Sequence, residues 1–126
     1  MSLKNESPTP LLVFADKEQL SRVFINLIKN AIQSIPENTV GRIEIKLEKK
    51  GEMALIRIKD NGKGIPDAIR GKLFQPNFTT KSSGMGLGLA IVRNIMQNAD
   101  GEIYFETEYG KGSTFFVELP LVEEKS

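Results

Sequence analysis

The stretch ALIRIKDNGKGIP, residues 54–66, changes character at Asp60, and how that change is read decides the fold. Ala54, Ile56 and Ile58 alternate with Leu55, Arg57 and Lys59, the pattern of a strand with one buried face. Asp60 continues that alternation, so its carboxylate falls on the aliphatic face. A charge there is costly unless a donor satisfies it. Two readings stand at this point. Asp60 either closes the strand in a solvated Asx turn with Asn61-Gly62, or it is a buried acceptor completed by a donor from the protein or from a ligand. Gly62 and Gly64, on either side of Lys63, suit the second reading, because a backbone without Cβ atoms can pass close to a ligand.

Working outward, RIEIKLE (Arg42 to Glu48) alternates throughout and is separated from the Ala54 strand by Lys49-Lys50-Gly51-Glu52, which predicts a hairpin. A second pair follows near the end: EIYFETE (Glu102 to Glu108), a turn at Tyr109-Gly110-Lys111-Gly112, and STFFVELP (Ser113 to Pro120). Leu11 to Ala15 is a short apolar strand candidate, and Asp16 is placed to cap the helix after it. That helix is marked by Leu20, Val23, Phe24, Leu27, Ile28, Ala31, Ile32 and Ile35 at three- and four-residue steps, and Pro36 closes it. A short helical segment is expected from Pro66 to Leu73, a loop from Gln75 to Gly84, and a further helix from near Leu87. Helices interleaved with hairpins predict an α+β fold, a two-layer sandwich whose mixed, mostly antiparallel sheet is covered on one face by about three helices.

With 126 residues and 40% hydrophobic composition, the chain has enough apolar material for one domain and too little for two. Its 17 basic and 16 acidic residues leave a net charge of +1, with no basic stripe for nucleic acid. There is no cysteine, so disulfides and thiolate metal sites are excluded, and there is no histidine. No apolar run approaches the length of a membrane span, and no signal peptide is recognisable. Residues 1–10 read as a linker or added N-terminus, 11–121 as the domain and 122–126 as a polar tail, the outline of a domain cut from a longer protein.

Two features outside the Asp60 stretch carry chemistry. Asn26 and Asn30 lie four residues apart, and at about 100° per residue Asn30 sits at the margin of the apolar stripe with Asn26 further out. Amide oxygens are hard ligands suited to Mg²⁺, which takes much of its coordination from water and phosphate oxygens. In GMGLGLAIV (Gly84 to Val92), Gly84, Gly86 and Gly88 meet the start of a helix, so pliable backbone amides and a positive dipole end converge where an anion would sit. The dinucleotide fingerprint is not met, since Leu89 and Ile91 stand where its third glycine belongs, and no GxxxxGK[ST] occurs.

Taken in order, these segments resemble the catalytic domains of sensor histidine kinases. NLIKNAIQSI (Asn26 to Ile35) is similar to the N box, DNGKGIP (Asp60 to Pro66) to the first glycine box, LFQPNFTTK (Leu73 to Lys81) to the phenylalanine box, and GMGLGLAIV to the second glycine box. GKGSTFFVELP matches the family's closing strand, so the resemblance runs from about Leu11 to Leu121.

The resemblance implies the Bergerat fold of the GHKL superfamily, in which ATP lies between helices and sheet. By motif, Asp60 accepts from the adenine amino group, Gly62 and Gly64 pass beside the base, Ile65 joins the ATP-binding set, and Asn30 holds Mg²⁺, with Asn26 a second ligand or a holder of water. The loop from Gln75 to Gly84 becomes the ATP lid, anchored by Phe74 and Phe78 and including Thr79, Thr80 and Lys81, with Lys81 a candidate γ-phosphate contact. Gly84, Gly86, Leu87 and Gly88 approach the phosphates. Ser113 either joins a water network around Asp60 or is an ordinary strand-start serine. The superfamily's hydrolysing members carry a glutamate general base at the first N-box position; Asn26 stands there and is not a base at neutral pH. The implied activity is therefore phosphoryl transfer, with Asn26, Asn30 and Lys81 as the catalytic set. With no histidine in the chain, the acceptor would lie on a separate dimerisation domain, and a response regulator would act downstream. A cytoplasmic, monomeric domain without nucleic-acid or membrane contact is expected. A non-catalytic nucleotide-sensing module and an anti-sigma-type serine kinase of the same fold are the alternatives.

Overall fold

The computed structural model describes the backbone of Ser2–Asn5 and the residues 16–75 and 89–121. Its elements are β1 (Ser2–Asn5), α1 (Lys17–Ser34), β2 (Ile43–Lys50), β3 (Met53–Asp60), α2 (Asp67–Arg70), α3 (Leu89–Asn98), β4 (Glu102–Glu108) and β5 (Gly112–Pro120). The Leu11–Ala15 strand candidate lies outside the described residues.

Asp16 caps α1 as its sequence position suggests: it is extended, and its carboxylate accepts from the Gln19 N–H at 3.1 Å. At the other end Pro36 cannot continue the helix, and Ile35 turns to extended backbone. The buried stripe consists of Val23, Leu27, Asn30, Ala31 and Ser34. Ile32, expected in that stripe, is instead 57% exposed. At about 100° per residue it lies about 140° from Leu27, on the far side of the helix, despite its four-residue step from Ile28.

The two hairpins form as the alternation indicates. β2 pairs with β3 from Ile43↔Asp60 to Lys50↔Met53, around a turn at Gly51-Glu52 in which Gly51 takes φ +60°. The turn is tighter than expected, because Lys49 and Lys50 stay in the strand. β4 pairs with β5 from Glu102↔Glu118 to Glu108↔Gly112, and β5 pairs back onto β3 with Asp60 opposite Ser113. The sheet order is β1-β2-β3-β5-β4.

β1 departs from the expectation of a linker over residues 1–10: Ser2–Asn5 pairs in parallel with Glu44–Leu47. Four residues are too short for a periodic signal. What recruits them is the edge of β2, whose unpaired main-chain groups bond another strand almost irrespective of its side chains.

The helices cover one face, where Val23, Leu27 and Ala31 of α1 and Leu89, Val92 and Met96 of α3 pack onto Ile56, Ile58, Phe115, Val117 and Leu119. α2 is a single turn, shorter than the Pro66–Leu73 segment expected, and Leu73 beyond it is fully buried. On the other face Tyr104 and Phe116 stack at 4.9 Å, the Arg57 guanidinium lies over Phe116, and Arg57 pairs with Glu48 at 2.7 Å. Leu55 alternates onto this same face and is buried there. The α+β two-layer sandwich is thus the observed architecture.

Candidate functional site

β3, in the middle of the sheet, ends at Asp60 directly beneath the C-terminal turn of α1. Asp60 is 4% exposed, so the solvated alternative falls. The Asx geometry itself is present: Oδ1 accepts from the Gly62 N–H at 2.8 Å. Oδ1 also lies 3.1 Å from the Ser34 hydroxyl, and the Ser113 backbone N–H donates to the same carboxyl. Burial raises the Asp60 pKa above its ordinary 3.8, and the donors of Gly62, Ser34 and Ser113 oppose that rise without cancelling it. A carboxylate offers about four acceptor sites, and three donors leave room for one more from a ligand.

One turn before Ser34, Asn30 is 5% exposed, and its Nδ2 has no hydrogen-bond partner among the described residues. It is more deeply enclosed than its marginal place on the helical wheel suggests. A buried amide left open is a defect unless something binds there. Its end can present either a donor to a phosphate oxygen or an oxygen to a cation, which is the donor chemistry a magnesium-bound phosphate needs. Asn26 is half-buried one turn earlier.

The glycines are required by the protein itself. A Cβ on Gly62 would meet the Ser34 side chain, and one on Gly64, at φ +76°, would meet the Glu108 carbonyl. The close approach read from the sequence is therefore made to α1 and to the β4–β5 hairpin. Ile65, expected in the ATP-binding set, buries its side chain in the core, while its N–H donates to Thr107 Oγ1 at 2.9 Å. Phe74 is half-buried, with its ring 5.8 Å from Phe105 on β4, a firm anchor at the start of the expected lid. Phe78, Thr79, Thr80, Lys81, Gly84, Gly86, Leu87 and Gly88 lie outside the described residues. Among those described, no cluster of three or more His, Cys, Asp or Glu side chains forms, so a cation here would rely on amide oxygens and its ligand's own phosphates.

Two residues escaped the sequence reading. Ser34 is 3% exposed, and its signal is the seven-residue step from Leu27, which puts it about 20° from Leu27 around the helix, within the buried stripe. Thr107 follows Ile103 and Phe105 in alternation. Its hydroxyl lies 2.8 Å from that of Ser113, so Ser113 is a buried member of a linked polar set and more than a strand start.

The family model described as histidine kinase-, DNA gyrase B-, and HSP90-like ATPase, HATPase_c, matches residues 15–123. The chain belongs to this family. HATPase_c domains bind ATP, and the polar seam between the end of α1 and the end of β3 lies between the helical layer and the sheet. Sporulation kinase C of Bacillus subtilis is 42% identical over 110 residues, covering 87% of this chain and 25% of that protein. The sensor histidine kinase ZraS of Escherichia coli is 42% identical over 107 residues, covering 85% of this chain and 23% of that protein. The chain thus spans about a quarter of the length of the curated relatives it matches. Among solved structures, the nucleotide-free catalytic domain of histidine kinase ThkA superposes with a TM-score of 0.82 at 34% identity, covering 94% of this chain and 78% of that one. No described helix of this HATPase_c domain is long and apolar enough to cross a membrane.

Proposed function

We propose that this chain is the ATP-binding catalytic domain of a sensor histidine kinase, which delivers the γ-phosphoryl group of ATP to a histidine on a separate dimerisation domain. The carrying observation is the pairing of two incomplete polar groups where β3 ends beneath the last turns of α1: the buried Asp60 carboxyl with room for one more donor, and the buried Asn30 amide with an unpartnered nitrogen. An adenine 6-amino group supplies the donor that Asp60 lacks. A phosphate oxygen, or a cation bound to one, supplies what Asn30 lacks.

Asn30, with Asn26 beside it, would hold Mg²⁺, which when bound offsets the charge of the β- and γ-phosphates. The chain's own work is positioning: Asp60 fixes the base, the α1 amides fix the phosphate end, and Phe74 tethers the segment that carries Lys81. The first N-box position holds Asn26, an amide that cannot act as a general base for water there, and this favours transfer over hydrolysis. In that transfer the β–γ bridging P–O bond breaks, ADP leaves, and a P–N bond forms on an imidazole whose proton passes to solvent. The imidazole must come from elsewhere, because the chain has no histidine. The domain is read as acting in the cytoplasm, where ATP is supplied, on a partner domain of its own longer protein and ahead of a response regulator.

Calorimetric titration of the chain with ATP, with and without Mg²⁺ and with GTP as control, tests the binding half. Saturable binding that Mg²⁺ strengthens and that prefers ATP is expected. Label from γ-labelled ATP should remain off this chain and appear on an added histidine-bearing dimerisation domain of a relative. Label on this chain, or binding indifferent to Mg²⁺ and base, would overturn the reading.

A further inference from the structure

Ser34 is the point where the two halves of the site meet, and neither its family motif nor its residue type marks it out. Its hydroxyl is within reach of two acceptors, the Ala31 carbonyl at 2.8 Å and Asp60 Oδ1 at 3.1 Å, with one hydrogen to share between them. Its carbonyl accepts from the Lys63 N–H at 2.9 Å, and the Gly62 backbone packs so closely on its side chain that a Cβ there would collide. Ser34 therefore ties the last turn of α1, which carries Asn30, to the loop that follows Asp60.

We infer that Ser34 is a positioning residue for base recognition: its hydroxyl and the Gly62 N–H hold Asp60 Oδ1, and so aim the carboxyl's remaining acceptor site at a purine amino group. This rests on the reading of Asp60 as the base acceptor. An alanine at position 34 would satisfy the helix equally well, since Ala has the higher helix propensity and Ser34 does not cap α1. It would leave the carboxyl with one donor fewer, held by the Gly62 and Ser113 N–H groups and less closely aimed. The hydroxyl thus serves Asp60, and the helix does not require it.

The consequence is a selective loss. Ser34→Ala should weaken ATP binding about three- to tenfold, the range expected for one hydrogen bond to a charged group acting at one remove. It should leave binding of purine riboside triphosphate, which lacks the 6-amino group, within about twofold, because that ligand draws little from a correctly aimed carboxyl. The ratio of the two affinities is the readout, since a general loosening of the fold would weaken both alike. Ser34→Cys keeps the side-chain shape with a weaker donor and should fall between parent and alanine variant.

Three variants measured by calorimetry with both triphosphates separate the possible failures. If Ser34→Ala lowers the ATP preference and Ser34→Cys lowers it less, Ser34 positions Asp60. If Ser34→Ala leaves the preference unchanged while Asp60→Asn abolishes it, the base acceptor stands and the Ser34 inference is overturned. If Asp60→Asn also leaves the preference unchanged, the base assignment beneath it is wrong. Should Ser34→Ala fold poorly by circular dichroism, the parent-to-cysteine comparison decides on the same ratio.

Discussion

Asp60 of β3 stands opposite Ser113 of β5 in the antiparallel ladder, and the Ser113 N–H turns to the Asp60 carboxyl. A strand-end aspartate is thereby enclosed by a neighbouring strand, a helix end and its own following turn. Its raised pKa records that burial outweighs those three donors.

That imbalance has a sign in stability. A carboxyl whose folded-state pKa lies above its unfolded value binds protons more tightly in the native state. Its contribution is fully present below the ordinary 3.8 and is lost as pH rises through the folded-state value. Chemical denaturation of parent and Asp60→Asn across pH 3.5 to 7.5, about the range in which buried carboxyls titrate, should show the parent losing stability relative to the variant as pH rises. The variant should also lose base preference in nucleotide binding. A parent that gained on the variant with rising pH would mean that the donors, and not burial, dominate at Asp60.

At the other end of the seam, Asn30→Ala removes the open amide without cutting a hydrogen bond at its Nδ2. A fold cost of about 1 kcal/mol or less is expected, together with loss of most of the Mg²⁺-dependent part of ATP affinity. Calorimetry with and without EDTA measures both halves of that affinity. An unchanged Mg²⁺ dependence would detach the metal from Asn30.

Most of the architecture was legible because the described elements carry clean periods: alternation in β2, β3, β4 and β5, and three- and four-residue steps in α1. What was not legible has physical reasons. β1 is held by main-chain bonds at a sheet edge, which no side-chain pattern records. Ile32 has the pattern of core because it stands four residues after Ile28, but Ile28 is itself only half-buried, about 100° from Leu27, and Ile32 lies about 40° further round. Ser34 and Thr107 were passed over because small hydroxyl residues carry no hydrophobic signal, although the wheel and the alternation both put them inward. The glycines of DNGKGIP suit a ligand's approach, but the motif does not show that Ser34 and Glu108 also demand Gly62 and Gly64, because both lie far away in the sequence.

On the outer face of the sheet, Tyr104 has its pKa pushed up to about 12, first by burial of the phenol and then by a hydrogen bond and the negative charge of Glu118. Glu118→Gln should therefore bring the Tyr104 titration down toward 10, without reaching it because the burial remains. NMR of the Tyr104 ring through high pH measures this directly. A midpoint still at about 12 in the variant would assign the whole shift to burial.

Gly64 and Gly51 both take positive φ, +76° and +60°, but only Gly64 has a neighbour where a Cβ would go. Gly51 sits in the open turn of the β2–β3 hairpin, so Gly51→Ala meets the left-handed backbone penalty alone, about 1–2 kcal/mol. Gly64→Ala meets that penalty and the Glu108 carbonyl as well. Relieving the collision means parting the Asp60 loop from the β4–β5 hairpin, to which it is tied by the Gly110 N–H on the Lys63 carbonyl at 2.6 Å and the Ile65 N–H on Thr107. Urea unfolding should give a loss of about 2–4 kcal/mol for Gly64→Ala, clearly beyond Gly51→Ala. Nucleotide affinity should fall in the first variant and hold in the second, because only the first disturbs the turn that fixes Asp60. Equal losses in the two would mean that the hairpin yields without strain, and that the glycine answers to its backbone angle alone.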